Sequence, residues 1–331
     1  WVSMPQIDRW NIRTVSLHGG VGFFPVIAIS LGYLIFQNYS ELTTSIGVID
    51  GDQKQFEIIL SILLGSLVMF ILGFVDDIIS CRPTVKIAFQ LIASIIFIYN
   101  GGGFLIFETE ALNIFITLLW FFVVINAVNL MDNMDGLTTG VVIISLIFLI
   151  FNSILGVDGT FPLSVYSSVI MLSSLLAFLF FNWSPATIFM GDSGSLSIGF
   201  ILAALLIPSP INNYLGITQN DHLSTPVMSL LIPILIIVTL LFDVVFVTIT
   251  RFLEGRSVMK GGKDHTSHRL VRGGLTEKKS ILLIFSLSII GGVGSVVLLT
   301  VNNGYGIFFT LFSIVILLIF KGIYLSRISS S

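Results

Sequence analysis

Charged side chains are scarce: Asp, Glu, Lys and Arg together make up 10% of the 331 residues, against about 25% in soluble domains. So thin a polar coating excludes a water-soluble globule. Cysteine is almost absent, and the single Cys81 excludes an intrachain disulfide and any cysteine-built metal cluster. Neither sign of charge prevails, since 15 basic residues face 18 acidic ones and the net charge is -3. That balance gives no reason to expect nucleic-acid binding. Internal repeats of 20 to 50 residues and low-complexity tracts are also missing. The first residue is Trp1, and residues 1 to 18 are too polar for a signal peptide. The expectation is a removed start or a fragment, with a preceding helix lost.

What the chain has instead is apolar length. Hydrophobic residues make up 55% and the mean hydropathy is +1.04. They cluster in runs of roughly 17 to 25 residues, long enough to cross a bilayer core of about 30 Å as helix. Ten spans are expected, near 19–37, 56–75, 85–100, 111–128, 137–155, 163–181, 194–208, 226–250, 280–300 and 304–325. Each must be helical, because lipid leaves no water to satisfy an open backbone. The fold class is therefore an all-α polytopic membrane protein, with residues 1–331 forming one transmembrane domain. If the spans alternate, fourteen of the fifteen Lys and Arg residues fall on one side and only Lys54 on the other. By the positive-inside rule the basic side is cytoplasmic.

Four polar clusters lie on that side. Asp76 and Asp77 close the second span in FVDDIIS. Carboxylates at a helix C-terminus oppose the macrodipole, so the pair calls for a cation or a basic partner. Lys86 follows, with Gln90 one turn further along the same face. In NAVNLMDNMDGL, residues 126–137, Asn126, Asn129, Asp132 and Asp135 recur every third position and would form one polar ridge. The spacing does not fit a calcium EF-hand. In IFMGDSGSL, residues 188–196, Asp192 stands between glycines before an apolar helix. It reads either as that helix's own N-cap or as part of a phosphate site built on exposed backbone N–H groups. GGKDHTSHRL, residues 261–270, carries two of the four histidines beside Lys263 and Arg269. Zinc would need ligands from elsewhere, whereas a basic loop of this kind suits an anionic substrate. Carboxylates and amides for a hard cation thus share one face with cations for phosphates, which points to metal-dependent phosphoryl transfer at the cytoplasmic interface.

These four motifs, in order and spacing, resemble the polyprenyl-phosphate N-acetylhexosamine-1-phosphate transferases. Asp8, Asn11, Arg13 and the Gly19-Gly20 pair extend the likeness to the family's first loop, so it covers nearly the whole chain. The resemblance implies ten or eleven transmembrane helices. It also implies transfer of a sugar 1-phosphate from a UDP-linked N-acetylhexosamine, by default UDP-GlcNAc, to a membrane polyprenyl (undecaprenyl) phosphate. UMP is released, the metal is Mg²⁺ with Mn²⁺ as a substitute, and the product starts cell-envelope glycan synthesis. The implied location is the plasma membrane, and a homodimer is compatible with the sequence. By the same resemblance Asn129 and Asp192 hold the metal, Asp132, Asp135 and Phe189 contact uridine, and Asn182 shapes the site. Lys86, His265, His268 and Arg269 bind phosphates, while Asp76 and Asp77 sit at the acceptor phosphate, one as base or orienting group.

The chain departs from the family at Ser267, where many relatives have histidine, and at Trp10, where proline is usual. The loop also lacks the triple histidine of the branch that uses UDP-N-acetylmuramoyl-pentapeptide, which speaks against that donor. The rival function is secondary transport of an anionic solute, which would place an ionisable site near the bilayer midplane. Asp243 is the main charged residue at such depth, about 12 Å below the interface if the helix ran straight to Arg251. It reads as a mark of a polar cleft or as a bond to a neighbouring helix. An inactive scaffold of the same fold would show the same sequence pattern.

Overall fold

The computed structural model describes residues 53–155, 163–207, 225–256, 262 and 264–300. The expected spans at 19–37 and 304–325, the first-loop residues Asp8, Asn11 and Arg13, and Lys263 lie outside them. The described residues are helical and contain no strand. In chain order the helices are α1 (Gln53–Ile79), α2 (Pro83–Tyr99), α3 (Glu110–Met131), α4 (Leu137–Leu155) and α5 (Leu163–Asn182). They continue as α6 (Gly191–Leu206), α7 (Thr225–Ile236), α8 (Val238–Leu253), α9 (Thr266–Arg272) and α10 (Glu277–Thr300).

Five of these are long and apolar enough to cross a membrane, and the bent pair of α7 and α8 makes a sixth if counted as one span. The shorter α2 and α6 are apolar too. Helix α1 shows how the pattern divides: Leu60, Leu64, Leu67 and Ile71 are exposed while Ile58, Ile59, Ile62, Met69 and Leu72 are buried. An apolar stripe left uncovered along a helix this long is at home against lipid.

Helix α6 is the axle of the bundle. Every residue from Ser193 to Leu206 is buried, and it packs between α1 and α3. Small residues permit the close approach. A Cβ on Gly199 would stand 3.0 Å from Ile125 Cα, and one on Gly73 would stand 2.4 Å from the backbone of Asp192 and Ser193. The start of α6 is therefore pressed directly onto α1.

The segment 226–250, expected as one straight span, is broken instead. Helices α7 and α8 meet at an 83° bend around Ile237. Pro233 in α7 has no N–H to give. At the break, Ser145 Oγ donates to Ile236 O at 3.3 Å, and Thr239 and Ser288 share a hydroxyl bond of 2.7 Å. A broken helix is tolerated at membrane depth when neighbours satisfy the freed groups in this way. A Cβ on Gly291 would stand 2.6 Å from Leu235 O, so α10 closes over the bend.

Because the contact at Gly73 is with backbone, no side chain can swing aside. Gly73→Ala is expected to destabilise by about 1–3 kcal/mol and to impair turnover by displacing Asp192. A thermal melt of the detergent-purified protein, with turnover measured alongside, checks this; wild-type values for both contradict it.

Candidate active site

Helix α1 ends in a turn that doubles the chain back. Ser80 adopts φ 54°, a left-handed conformation that ends helices, and Pro83 opens α2 at its first turn. One consequence is that Lys86 returns beside Asp76. Asp76 accepts from Cys81 N at 2.6 Å through Oδ1 and from Lys86 Nζ at 2.6 Å through Oδ2. The same ammonium reaches Asp192 Oδ2 at 2.7 Å. Asn129, near the end of α3, donates through Nδ2 to Asp192 Oδ1 at 3.1 Å and to Ser195 Oγ at 2.8 Å. Asp76, Lys86, Asn129 and Asp192 thus form one connected cluster built from four helices. Behind it, Gln90 and Asn126 exchange amide bonds, the stronger at 3.0 Å.

Asp77 points elsewhere. Its carboxylate accepts from Asp192 N at 2.9 Å and from Ser193 N at 3.2 Å. It therefore caps α6 from a different helix, satisfying orphan donors and opposing the positive end of the dipole. Two expectations change. Asp192 is not its own helix's N-cap, for its side chain is committed to Lys86 and Asn129. Nor are the first N–H groups of α6 open to a phosphate, because a carboxylate already occupies two of them. Gly191, at φ 66°, makes the approach feasible, since a Cβ there would stand 3.0 Å from Asp77 Oδ2.

The polar ridge expected over residues 126–135 stops at the helix end. Helix α3 finishes at Met131, so Asp132 is its C-cap and Asp135 lies in the following turn. Gly136 closes that turn with φ 73°. Asp135 Oδ2 accepts from Ala186 N at 3.1 Å. Asn182, 3% exposed, accepts from Gly136 N at 3.1 Å and Thr139 Oγ1 at 2.8 Å and donates to Ile188 O at 3.0 Å. Together they fasten the turn to loop 183–190, which carries a half-buried Phe189.

The histidine loop is clamped rather than free. Arg251, 2% exposed, holds Asp264 with two bonds, Nε to Oδ2 at 2.8 Å and Nη2 to Oδ1 at 2.7 Å. That guanidinium keeps the Asp264 carboxyl well below the usual carboxylate range. His265 Nδ1 lies 2.9 Å from Asp243 Oδ2, and Thr266 N donates to Asp243 Oδ1 at 2.8 Å. Asp243 is thus engaged with the histidine loop, in keeping with the reading of it as a bond to a neighbouring segment. Ser267 Oγ donates to Asn133 Oδ1 at 2.5 Å, tying this loop to the acidic turn. The Arg269 guanidinium lies 4.9 Å over the Phe246 ring, and His268 is half-buried. Sequence reasoning missed the roles of Asp77, Asn133, Ser195 and Arg251. The eight-residue spacing of Asp243 and Arg251, which puts them on one helix face, was the available signal.

Comparison with known proteins joins this geometry to a family. The family profile for glycosyl transferase family 4 matches residues 59–209. Over 331 aligned residues the chain is 32% identical to the Bacillus subtilis protein named "Probable undecaprenyl-phosphate N-acetylglucosaminyl 1-phosphate transferase", covering 97% of this chain and 83% of that one. The chain belongs to glycosyl transferase family 4. It is a phosphoglycosyltransferase and a multi-pass membrane protein. A decaprenyl-phosphate N-acetylglucosaminephosphotransferase of Mycobacterium tuberculosis is 30% identical over 245 residues, 68% of this chain and 60% of that one. A phospho-N-acetylmuramoyl-pentapeptide-transferase of Streptococcus equi is 33% identical over 213 residues, 57% of this chain and 58% of that one. The residues assembled around Asp76, Asn129 and Asp192 lie within the matched segment, and the histidine loop lies beyond it.

Two outcomes follow for this glycosyltransferase. Asp77→Ala strands two backbone donors and is expected to lower stability by about 1–3 kcal/mol, seen as an earlier thermal melt; an unchanged melt contradicts the capping role. Ser267 is 2% exposed and bonded to Asn133, so Ser267→His, which removes that bond at a buried position, is expected to reduce turnover by more than about tenfold, a loss of over 1.4 kcal/mol in barrier terms. Turnover within that limit would mean the loop supplies charge alone.

Proposed function

We propose that the enzyme transfers N-acetylhexosamine 1-phosphate from a UDP-sugar, with UDP-GlcNAc the default donor, to a membrane polyprenyl phosphate such as undecaprenyl phosphate, releasing UMP. The observation that carries this is the Asp76–Lys86–Asp192–Asn129 cluster set on a pinned helix start. Its supports are the printed activities of the relatives and the charge split, which by the positive-inside rule favours the cytoplasmic face of the plasma membrane for these loops.

Among the described residues no three His, Cys, Asp or Glu side chains gather as a ready metal cage. Mg²⁺ needs no such cage, since it takes one or two carboxylates and completes its shell with water and substrate phosphate oxygens. The Lys86 ammonium lies between Asp76 and Asp192, so two carboxylates already share one positive charge there. Asp192 would hold the ion, with Asn129 joining once its amide turns its oxygen inward. Bound there, Mg²⁺ would neutralise charge on the donor diphosphate.

The reaction forms a bond from an acceptor phosphate oxygen to the sugar-bearing phosphorus of the donor. The bond from that phosphorus to the bridging oxygen breaks, and UMP leaves with the electron pair. The second pKa of a phosphate monoester is about 6, so the acceptor is largely a dianion at neutral pH and no proton need be removed. Asp76, with both oxygens engaged, suits an orienting role that holds Lys86 at the acceptor. Asp132, Asp135 and Phe189 border the uridine side. His265, His268 and Arg269 supply the cationic wall for phosphates.

Detergent-purified protein, given undecaprenyl phosphate and a panel of UDP-N-acetylhexosamines, should release UMP with one donor and stop on addition of EDTA. Silence across the panel from folded protein overturns the reading. Asp192→Asn should depress turnover by orders of magnitude and alter Mg²⁺ dependence, with a near-normal thermal melt. A lower melt with normal turnover would reassign Asp192 to structure.

A further inference from the structure

Helix α8 presents Asp243, Val247 and Arg251 on one buried face, at positions that stack four residues apart. Asp243 is 2% exposed, and a carboxylate is seldom buried so fully without dedicated donors. It has them in the histidine loop: Oδ2 meets His265 Nδ1 at 2.9 Å, and Oδ1 receives Thr266 N at 2.8 Å. Two turns along, Arg251 grips Asp264 with its bidentate pair. Three consecutive loop residues are therefore held by two points of one helix. His265 itself is 4% exposed, so its ring is placed by the protein before any ligand arrives.

Which nitrogen of a histidine carries the proton is set by the bond that the other ring atom makes. A carboxylate accepts only, so Nδ1 must donate to Asp243, and Nε2 meets a phosphate oxygen as a donor in the imidazolium form, for which Asp243 is the counter-charge. The bond to Asp243 engages Nδ1, and Nε2 lies at the opposite corner of the ring. We propose that Asp243 is a positioning residue for the transfer reaction, pinning His265 Nδ1 so that Nε2 is the ring atom offered to the donor's phosphates. This rests on the reading of the loop as a donor-phosphate wall. It adds a residue from the broken span that lies 22 positions upstream of the histidine it serves.

The two oxygens of Asp243 can be tested apart. In Asp243→Asn the amide oxygen keeps an acceptor for Thr266 N, while the amide nitrogen can only donate to a bare Nδ1, so the variant cannot pair with the imidazolium that donates from both nitrogens. The expected result is a fall in kcat/KM for UDP-GlcNAc of at least tenfold with the KM for undecaprenyl phosphate within twofold of wild type. The double variant Asp243→Asn with His265→Asn should be no worse than the weaker single one, because both remove the same contact. Losses that multiply, equal effects on both substrates, or Asp243→Asn activity within twofold of wild type overturn the proposal. Nitrogen-15 NMR of the histidine-labelled wild-type protein, with His265→Asn for assignment, gives a reading that does not depend on a variant folding. Nδ1 should be protonated and the Nε2 signal should move when UDP is added. An unprotonated Nδ1, or a His265 signal indifferent to UDP, contradicts it. If wild type itself releases no UMP, the proposed function fails; if wild type is active and the variant matches it, this inference fails alone.

Discussion

Two backbone N–H groups at the start of a buried helix impose the constraint on which the site depends. Helix α6 is enclosed from Ser193 to Leu206, so water cannot satisfy its first donors, and an uncapped end there would be costly. Asp77 satisfies them from α1. That single carboxylate fixes the height and rotation of α6 against α1, and with it the direction in which Asp192 projects. Gly73 and Gly191 are the complementary absences, since a side chain at either position would meet the backbone or the carboxylate at the junction. Adjacent acids at the end of one helix thus take different partners: Asp77 the start of α6, and Asp76 the ammonium of Lys86.

The turn over residues 132–136 is the second organiser. Asp135 ties it to Ala186, Gly136 to Asn182, and Asn133 to Ser267. The acidic turn, the loop before α6 and the histidine loop therefore move as one surface. A wall so cross-linked suits phosphoryl transfer, in which positioning and fixed charge supply most of the catalysis and little covalent work falls to the protein. Arg251 holds Asp264 and keeps that carboxylate ionised, and Arg256 meets the same carboxylate at 3.2 Å.

Much of this was readable in the sequence, and what was not has a common cause. Apolar runs located α1, α3, α4, α5 and α10, because in lipid a long apolar segment has no alternative to helix. Uncompensated polar residues at span ends located Asp76, Lys86, Asn129 and Asp192, because such groups are expensive beside hydrocarbon. Partners were beyond reach: Asp77 and Asp192 are 115 positions apart and Ser267 and Asn133 are 134 apart, and no periodicity links positions so distant. For the same reason the sequence left open whether Asp192 caps its own helix. The bend at Ile237 escaped too, since apolar composition continues unbroken through it and the groups that repair it, Ser145 and Gly291, come from other helices.

The proposed role of Asp192, held in place by Asp77, is to present a metal ion to the donor's diphosphate. Pulsed electron–nuclear double resonance on Mn²⁺ added to the purified protein with UDP-GlcNAc reads that contact directly. The account predicts phosphorus-31 coupling to the bound Mn²⁺, lost in Asp192→Asn. Mn²⁺ bound without phosphorus coupling, or with coupling that survives the loss of Asp192, would contradict it.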